Sequence, residues 1–414
     1  MTDSKTDRTT DPTTDRTTTA LAEDVALSLG TDYFLMREQL SDDEAALLDR
    51  VRAFGELEIL PIVNDYWERG EFPFELIPKL RDLAIVGDGM RGYGTVPMTA
   101  VGQGLVSYEL GRLDGSIGTF LGVHVGLAMK SIYLLGSPEQ RERWLPSMAR
   151  LETIGAFALT EPEHGSDAVA LETTARREGD SWVLNGRKRW PGNAVWCDLI
   201  VVFARDVGDG RVKAFVVDKN DPGYHATKIE GKMALRMVQN ADILLDDVRV
   251  PEDRRLAGCA SFADVAKVLT GTRNMVAWAS TGHAVAAYEI ALNYARRRVQ
   301  FGKPIAATQL VQAKLVEMLG EVTAMQLYCI RLGRLIDEGR MTDTMAALAK
   351  YFCSVKARHV CRLARDILGG NGITLEFHVM RHLCDMEALV TYEGTAEIQS
   401  LLVGREVTGQ SAFA

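Results

Sequence analysis

Hydrophobic positions recur with a helical period through the first third of the chain. Residues 41–44 read Ser-Asp-Asp-Glu, a capping box, and apolar residues follow at positions 45, 47, 48, 51 and 54. The same period returns near residues 74–83, 100–111, 117–135 and 138–148, and glycine-rich breaks separate these stretches. The pattern therefore predicts an α-helical domain over residues 35–152.

The period changes to two between residues 153 and 254. Runs rich in β-branched and aromatic residues at 181–186, 199–203, 212–217 and 243–250 are typical of strands. Asn185-Gly186 and the Gly-Asp-Gly segment at 208–210 are hairpin signals. We expect these residues to form a compact antiparallel β domain.

A helical period resumes after Pro251 and predicts four long helices, at 265–297, 309–338, 342–368 and 397–407. Short connections between them favour an antiparallel four-helix bundle over residues 255–414. Because helices and strands occupy separate regions, the predicted fold class is α+β with several domains and no doubly wound sheet. Residues 1–34 are a Thr/Asp-rich tail and its lead-in, and this composition is typical of disorder.

Composition and charge exclude several classes of protein. There are 47 Lys and Arg against 56 Asp and Glu, a formal net charge of −9, which is the wrong sign for a nucleic-acid binder. We find no apolar run that approaches the roughly 18 residues of a membrane span and no signal peptide, so we expect no membrane partner. The six scattered cysteines form no C-x-x-C pair, which favours a reducing cytoplasm.

Several segments have both a structural and a chemical interpretation. The segment 157–167 places a loop rich in hydroxyl and backbone N–H groups after a strand; it is either an ordinary strand exit or a site for an anion or a polar ring edge. Trp190 is either a core residue or the flat partner of an aromatic cofactor. The basic run Arg296–Arg298 ends a helix, where it complements the helix dipole or clamps a phosphate.

Three further patterns bear on catalysis. The segment Gly369–Gly372 is either a helix C-cap or a place where the backbone approaches a cofactor, and it lacks the spacing and the preceding strand of a dinucleotide fingerprint. Glu393 lies in a break before the last helix and by itself reads as a solvated acid. The histidines lack metal-ligand spacing, so we assign no metal, and no G-x-S-x-G elbow supports a serine hydrolase.

Taken together, five motifs resemble the acyl-CoA dehydrogenase and oxidase superfamily in sequence and order. They are F-x-L-T-E-P-x-x-G-S-D at 157–167, K-R-W at 188–190, R-x-Q-F-G-x-P at 298–304, L-G-G-N-G at 368–372 and Y-E-G-T at 392–395. The resemblance covers roughly residues 35–412. It implies FAD as cofactor and an acyl-CoA thioester as substrate.

The resemblance also implies a role for individual residues. Glu393 is implied as the base that removes the α-proton while the β-hydrogen leaves as hydride to flavin N5. The implied cofactor contacts are Phe157, Leu159, Thr160, Ser166, Trp190, Gly192, Arg298, Phe301, Gln309, Asp366, Gly369, Gly370, Thr395 and Glu397. The implied substrate contacts are Ser166, Arg273 and Gly394. Arg298, Phe301 and Gln309 match residues that reach a neighbouring subunit's FAD, which implies a homo-oligomer, expected to be a tetramer.

Two departures from the family pattern refine the expected reaction. Most dehydrogenases read W-I-T or W-I-S where this chain reads Trp-Pro-Gly at 190–192, a version that resembles plant short-chain acyl-CoA oxidases. In the glutaryl-CoA dehydrogenase-like branch, which this chain resembles most, an Arg pairs with the distal carboxylate, and Gly118 occupies the matching position. An unpaired buried carboxylate is costly, so we expect a short, monocarboxylic and possibly branched acyl-CoA, oxidised to the trans-2-enoyl-CoA.

The electron acceptor and the pathway stay open at this stage. We expect an electron-transferring flavoprotein as partner, with molecular oxygen as the alternative, and a place in fatty acid or amino acid catabolism. Alternative functions are a short-chain acyl-CoA oxidase, a glutaryl-CoA dehydrogenase-like enzyme and a catalytically silent assembly protein.

Overall fold

The computed structural model describes residues 25–413, so the Thr/Asp-rich tail before them lies outside the described residues. The N-terminal region is helical: α1 (Asp42–Phe54), α2 (Val63–Arg69), α3 (Leu76–Asp82), α4 (Ala100–Leu113), α5 (Gly115–Leu121), α6 (Lys130–Leu135) and α7 (Pro138–Ala149). The capping box is confirmed, because Ser41 Oγ accepts from Glu44 N at 3.3 Å and Ser41 N donates to Glu44 Oε2 at 3.0 Å. Two π-helical segments, Gly55–Ile59 and Gly122–Met129, were not predicted.

One continuous helix runs through the middle of this region. We term it the central helix; it spans Gly115–Leu135 and comprises α5, the segment Gly122–Met129 and α6. By length and composition alone it is apolar enough to cross a membrane, so the expectation that no stretch reaches this length is wrong. Its apolar side chains pack in the core, where Phe120 and Met129 are fully buried, and this burial accounts for its composition.

The middle region is a sheet of seven strands. They are β1 (Gly155–Ala158), β2 (Thr174–Glu178), β3 (Ser181–Arg189), β4 (Leu199–Asp206), β5 (Val212–Asp218), β6 (Tyr224–Lys228) and β7 (Ala241–Pro251). The strand order is β1-β4-β2-β3-β7-β6, and β5 pairs with β4. The pairs β2–β3, β3–β7, β4–β5 and β6–β7 are antiparallel as predicted, whereas β1–β4 and β2–β4 are parallel. The sheet is therefore mixed.

The two hairpin signals have different outcomes. Residues 208–210 connect β4 to β5 in an antiparallel hairpin, as predicted. Asn185 and Gly186 instead lie inside β3, at an irregularity in its pairing with β7, so that prediction is wrong. A Cβ on Gly186 would lie 2.6 Å from Thr173 Oγ1, so a glycine is needed there for close approach of another segment and not for a turn.

The C-terminal region is helical, as predicted, and has five helices among the described residues. They are α8 (Phe262–Arg297), α9 (Gln309–Asp337), α10 (Asp343–Leu368), α11 (Val379–Thr391) and α12 (Ala396–Thr408). A small hairpin of β8 (Val299–Gln300) and β9 (Lys303–Pro304) follows α8. The four predicted helices are present, but α11 was not predicted. Gly369 has φ +59° and ends α10, which confirms the C-cap interpretation of this glycine-rich segment.

A buried polar cluster joins the three regions, and we term it the domain junction. Arg381 on α11 donates through Nη1 to Asp114 Oδ2 at 2.5 Å and to Leu113 O at 3.1 Å in the N-terminal region. Asp385, one turn further along α11, accepts from the Leu235 N–H of the middle region at 2.6 Å. Arg381, Asp114 and Asp385 are fully buried. The Arg381–Asp114 ion pair and the hydrogen bond from Leu235 to Asp385 therefore each link α11 to another region of the fold.

Candidate active site

The loop between α11 and α12 carries Glu393, which is half-buried. Glu393 and Gly394 both have left-handed backbone conformations, with φ +55° and +85°. Lys350 of α10 donates to Gly394 O at 2.7 Å, and Gln399 of α12 donates to Glu393 O at 2.9 Å. Thr395 begins α12 as its N-cap, with its Oγ1 accepting from Ile398 N at 3.3 Å. Two helices and a cap therefore fix the path of this loop.

The carboxyl group of Glu393 is half-buried and has one short hydrogen bond. Thr272 of α8 donates from Oγ1 to Glu393 Oε2 at 2.5 Å. Burial raises the pKa of Glu393, and this effect exceeds the lowering by the Thr272 hydroxyl and by the positive charges of Lys350 and Arg273. A carboxylate with a raised pKa is better matched to proton abstraction near neutral pH than an exposed one.

The positive charges near Glu393 also have other partners. Burial lowers the pKa of Lys350 to about 8, against the opposing effect of Glu393 and Glu397. Arg273 pairs with Asp343 at 2.7 Å, while its Nε is buried without a hydrogen-bond partner among the described residues. The sequence reasoning named Arg273 but missed Thr272, its neighbour in the same G-T-R segment, and it missed Lys350 and Gln399.

A second group of predicted residues lies where β1 and β3 end. Arg189 N donates to Thr160 O at 2.9 Å, which sets the end of β3 beside the strand that carries Phe157 and Leu159. The next residue, Trp190, is 48% exposed and has φ +76°. The alternative in which Trp190 is a core residue is therefore wrong, and its indole is accessible for stacking.

Buried charges hold the loop that follows β1. Glu161 accepts from Lys188 Nζ at 2.8 Å and from the Thr173 N–H at 2.9 Å, and all three residues are buried. Ser166, further along this loop, is exposed. Glu161 and Lys188 lie inside the quoted motifs, but the sequence reasoning gave them no role. The structure indicates that they shape the loop on which Ser166 is placed.

The central helix connects these two groups. Burial raises the pKa of Tyr392, the residue before Glu393, and the neighbouring Thr119 hydroxyl opposes this effect, so Tyr392 lies beside the central helix. One turn later, Val123 lies against Gly192, where an added Cβ would be 3.1 Å from Val123 Cγ2. The strand ends around Trp190 and the loop of Glu393 therefore face the same helix.

A third group of predicted residues is separate from the first two. Arg298, Phe301 and Gln309 lie around the β8–β9 hairpin, where Phe301 is 99% exposed. Asp366, Gly369 and Gly370 lie at the exposed end of α10, and Asp366 pairs with Arg365 at 2.9 Å. None of the hydrogen bonds described within residues 25–413 joins this group to Glu393 or Trp190. In those residues we also find no cluster of His, Cys, Asp and Glu that could hold a metal ion.

Comparison with known proteins identifies the fold family. The N-terminal, middle and C-terminal domain models of acyl-CoA dehydrogenase match residues 41–152, 156–248 and 262–408. The chain belongs to the acyl-CoA dehydrogenase family. The three-region architecture predicted from the hydrophobic pattern is thereby confirmed, and the protein is an acyl-CoA dehydrogenase.

Individual relatives are similar to this chain over nearly its whole length. The crystal structure of a glutaryl-CoA dehydrogenase from Mycobacterium smegmatis is 39% identical, with a TM-score of 0.89 over 91% of this chain and 97% of that chain. A second one, from the same organism and in complex with FADH2, is 34% identical, with a TM-score of 0.90 over 94% of this chain and 100% of that chain. The human mitochondrial short-chain specific acyl-CoA dehydrogenase is 34% identical over 88% of this chain and 90% of its own length.

FAD is the cofactor of this acyl-CoA dehydrogenase, and the residues present fit it. The accessible indole of Trp190 offers a face for an aromatic ring. At Gly369 and Gly370 an added Cβ would meet nothing within 4 Å, so a ligand can approach the backbone there. When bound, FAD would supply a hydride acceptor.

Proposed function

We propose that this acyl-CoA dehydrogenase oxidises a short-chain monocarboxylic acyl-CoA, straight or branched, to the trans-2-enoyl-CoA, with Glu393 as the catalytic base. The observation that carries the assignment is the half-buried Glu393 carboxyl group, hydrogen-bonded by Thr272 at 2.5 Å and held on a loop that Lys350 and Gln399 anchor. In the proposed reaction the α-proton goes to this carboxylate and the β-hydride to FAD, so that a carbon–carbon double bond forms.

The surroundings of Glu393 support this role chemically. Oε2 is engaged by Thr272, which leaves Oε1 as the proposed proton-accepting atom. Lys350 and Arg273 favour the ionised form and so oppose the rise in the pKa of Glu393 that burial causes. We assign the contacts with the thioester and CoA to Ser166, Arg273 and Gly394, as the resemblance implies.

The preference for a monocarboxylic acyl group rests on position 118. Gly118 offers no cation to a distal carboxylate, and a Cβ there would meet Leu110 Cβ at 3.6 Å. An unpaired carboxylate in an enclosed site is more unfavourable than an unpaired neutral polar group, which costs about 2–7 kcal/mol. The names of the Mycobacterium relatives make glutaryl-CoA the second candidate substrate.

The electron acceptor that we propose is an electron-transferring flavoprotein. Gly192 lacks the hydroxyl present at this position in most dehydrogenases, and this keeps an oxygen-using oxidase as the alternative. Hydrogen peroxide formed at the rate of substrate loss, without an added acceptor, would select the oxidase. We also propose a cytoplasmic homotetramer in which Arg298, Phe301 and Gln309 reach a neighbour's FAD; light scattering of the purified protein tests the oligomeric state.

Anaerobic titration of a Glu393→Gln variant tests the base. We expect the variant to retain FAD, because Glu393 is not among the proposed cofactor contacts, but its flavin absorbance should not bleach with butyryl-CoA. Glu387→Gln is the matched control: it removes an exposed carboxylate on α11 that pairs only at 3.4 Å with Arg358, and it should bleach like the wild type. Bleaching of Glu393→Gln at the wild-type rate would remove Glu393 as the base.

A further inference from the structure

Helix α10 carries one lysine on its buried face. Among the residues of α10, all of which lie in the described part of the chain, Lys350 is the only charged one that is buried. Its side chain is fully enclosed. A buried charge is unfavourable unless neighbouring groups compensate it, so the contacts of this ammonium group indicate its role.

The ammonium group of Lys350 binds the chain on both sides of Glu393. Nζ donates to Gly394 O at 2.7 Å and to Val390 O at 3.2 Å. Val390 lies in the last turn of α11, where the backbone carbonyls lack partners within the helix and favour a positive charge. Because the two acceptors precede and follow Glu393 in sequence, this one side chain restricts the movement of the proposed base.

Gln399 of α12 holds the same turn without a charge. Its Nε2 donates to Glu393 O at 2.9 Å and to Gly394 O at 3.1 Å, and its side chain is fully buried. Two buried side chains from different helices therefore share Gly394 O and fix the peptide planes of the turn. They differ in that Lys350 also brings a positive charge, and this difference allows the two contributions to be measured separately.

Charged groups from α8, α10 and α12 lie near the turn. Burial raises the pKa of Glu393, and the positive charges of Lys350 and of Arg273 on α8 oppose this rise. Burial lowers the pKa of Lys350, and the negative charges of Glu393 and, to a lesser extent, of the exposed Glu397 on α12 oppose this decrease. Arg273 has its own counterion, because Asp343 lies 2.7 Å away. Within residues 25–413 Lys350 has no carboxylate in direct contact, so its charge is compensated mainly by carbonyl groups and by Glu393.

We propose that Lys350 is a positioning residue for Glu393: it holds the turn that carries the base and places a buried positive charge near its carboxylate. The proposal rests on the proposed function, because it takes Glu393 as the base. Only the carboxylate form of Glu393 can accept the α-proton, and a nearby positive charge favours that form. One ammonium group therefore sets both the geometry and the charge state of the base.

The pH dependence of anaerobic flavin bleaching with butyryl-CoA separates the charge from the hydrogen bonds. In Lys350→Met the pKa of Glu393 should rise, because one positive charge no longer favours the ionised form. The acidic limb of the rate profile should then move up by about one pH unit, a loss of about tenfold in rate below the limb. Gln399→Met also removes two hydrogen bonds to the turn but no charge, so the rate should fall about three- to tenfold at every pH while the limb stays in place.

Further variants serve as controls for charge and for folding. Lys356→Met removes a partly exposed lysine of the same helix, which pairs with Glu321 at 2.7 Å, and it should bleach like the wild type at each pH. Lys350→Arg keeps the positive charge and should leave the limb near its wild-type position. FAD content per subunit reports whether each variant folds. If Lys350→Met loses FAD, Lys350→Gln, which keeps a hydrogen-bond donor but no charge, takes its place in the comparison with Gln399→Met.

The outcomes separate this proposal from the proposed function. An acidic limb that stays in place in Lys350→Met, or that moves equally in Gln399→Met, would overturn the role of Lys350 while the dehydrogenation stands. Wild-type protein that holds FAD but bleaches with no thioester, butyryl-CoA included, would instead overturn the proposed function. Infrared difference spectra, each recorded against the same protein carrying Glu393→Gln, follow the carboxylic acid band of Glu393 with pH and need no turnover. This band should appear at higher pH in Lys350→Met than in the wild type, and an unchanged midpoint would refute the control of Glu393 by Lys350.

Discussion

Replacing Thr272 with valine removes the hydrogen bond to the proposed base, together with the contact of the same hydroxyl with Leu269 O at 2.8 Å in its own helix. The substitution removes the hydroxyl that donates to Glu393 Oε2 at 2.5 Å and nearly keeps the side-chain shape. A hydrogen bond to a charged group contributes about 1.5–3 kcal/mol. Because this bond stabilises the carboxylate over the carboxylic acid, its loss raises the pKa of Glu393 further.

The pH dependence of kcat/KM measures this effect. Since about 1.4 kcal/mol is a factor of ten in an equilibrium constant, the loss of this hydrogen bond should lower the ionised fraction of Glu393 about ten- to a hundredfold. This full reduction applies at pH values well below the midpoint of the acidic limb in the wild type. At alkaline pH, where the carboxylate is ionised in both proteins, the rates should converge. The expected profile is therefore an acidic limb displaced to higher pH, and not a uniform loss of activity.

Thr281→Val is the matched control for this variant. Thr281 lies on the same helix, is fully buried and donates from Oγ1 to Ala277 O at 2.8 Å. We assign it no catalytic or binding role. It should leave the limb where it is in the wild type. An unmoved limb in Thr272→Val, or an equal displacement in both variants, would refute the reasoning, provided that both proteins retain FAD.

Two further predictions follow from the loop and from the buried histidines. Gly394→Ala should slow flavin bleaching with butyryl-CoA, because φ is +85° and the new Cβ would lie 2.4 Å from Gln399 Nε2. The resulting strain of about 1–2 kcal/mol displaces the loop that carries Glu393. Gly404→Ala is the control: a Cβ at position 404 meets open space, and this variant should bleach like the wild type. Burial lowers the pKa of His378 to about 3. Below about pH 6.5 the unfolded chain therefore binds a proton at this histidine that the native protein does not bind. The free energy of unfolding should fall as the pH drops below that value, by up to about 1.4 kcal/mol per pH unit from this group. Urea unfolding between about pH 5 and about pH 8 measures this free energy. It should decline less steeply toward acidic pH in His378→Asn than in the wild type, and with the wild-type slope in the exposed control His225→Asn. Equal slopes in all three proteins would contradict the assignment to His378.

Local sequence signals were sufficient for most of the helices. The capping box at Ser41, the hairpin at 208–210 and the ends of the long C-terminal helices depend on neighbouring residues, and these are readable from the chain itself. Helix α11 escaped prediction because its buried face carries Arg381, His382 and Asp385, so polar residues occupy positions where a periodicity analysis expects apolar ones. The contacts that make such a face favourable come from residues distant in the chain.

In the sheet and in the active site, too, the features that depend on contacts between distant segments could not be predicted from the sequence. The parallel pairing of β1 with β4 depends on a connection that crosses the sheet, and nothing in either strand records it. Glu393 was predicted through a resemblance carried by five motifs. Its immediate partners Thr272, Lys350 and Gln399 come from three different helices, and only the fold brings them to one loop.

The domain junction limits how this protein can be divided. A fragment that begins after the sheet would contain Arg381 and Asp385 but neither Asp114 nor the Leu235 N–H that these residues bind in the intact chain. Removing one partner of a buried ion pair costs about 3–5 kcal/mol, a large part of the stability of a typical domain. Truncated forms for crystallisation or fusion should therefore keep residues 114, 235, 381 and 385 together, and heating should melt the helices and the sheet in a single transition.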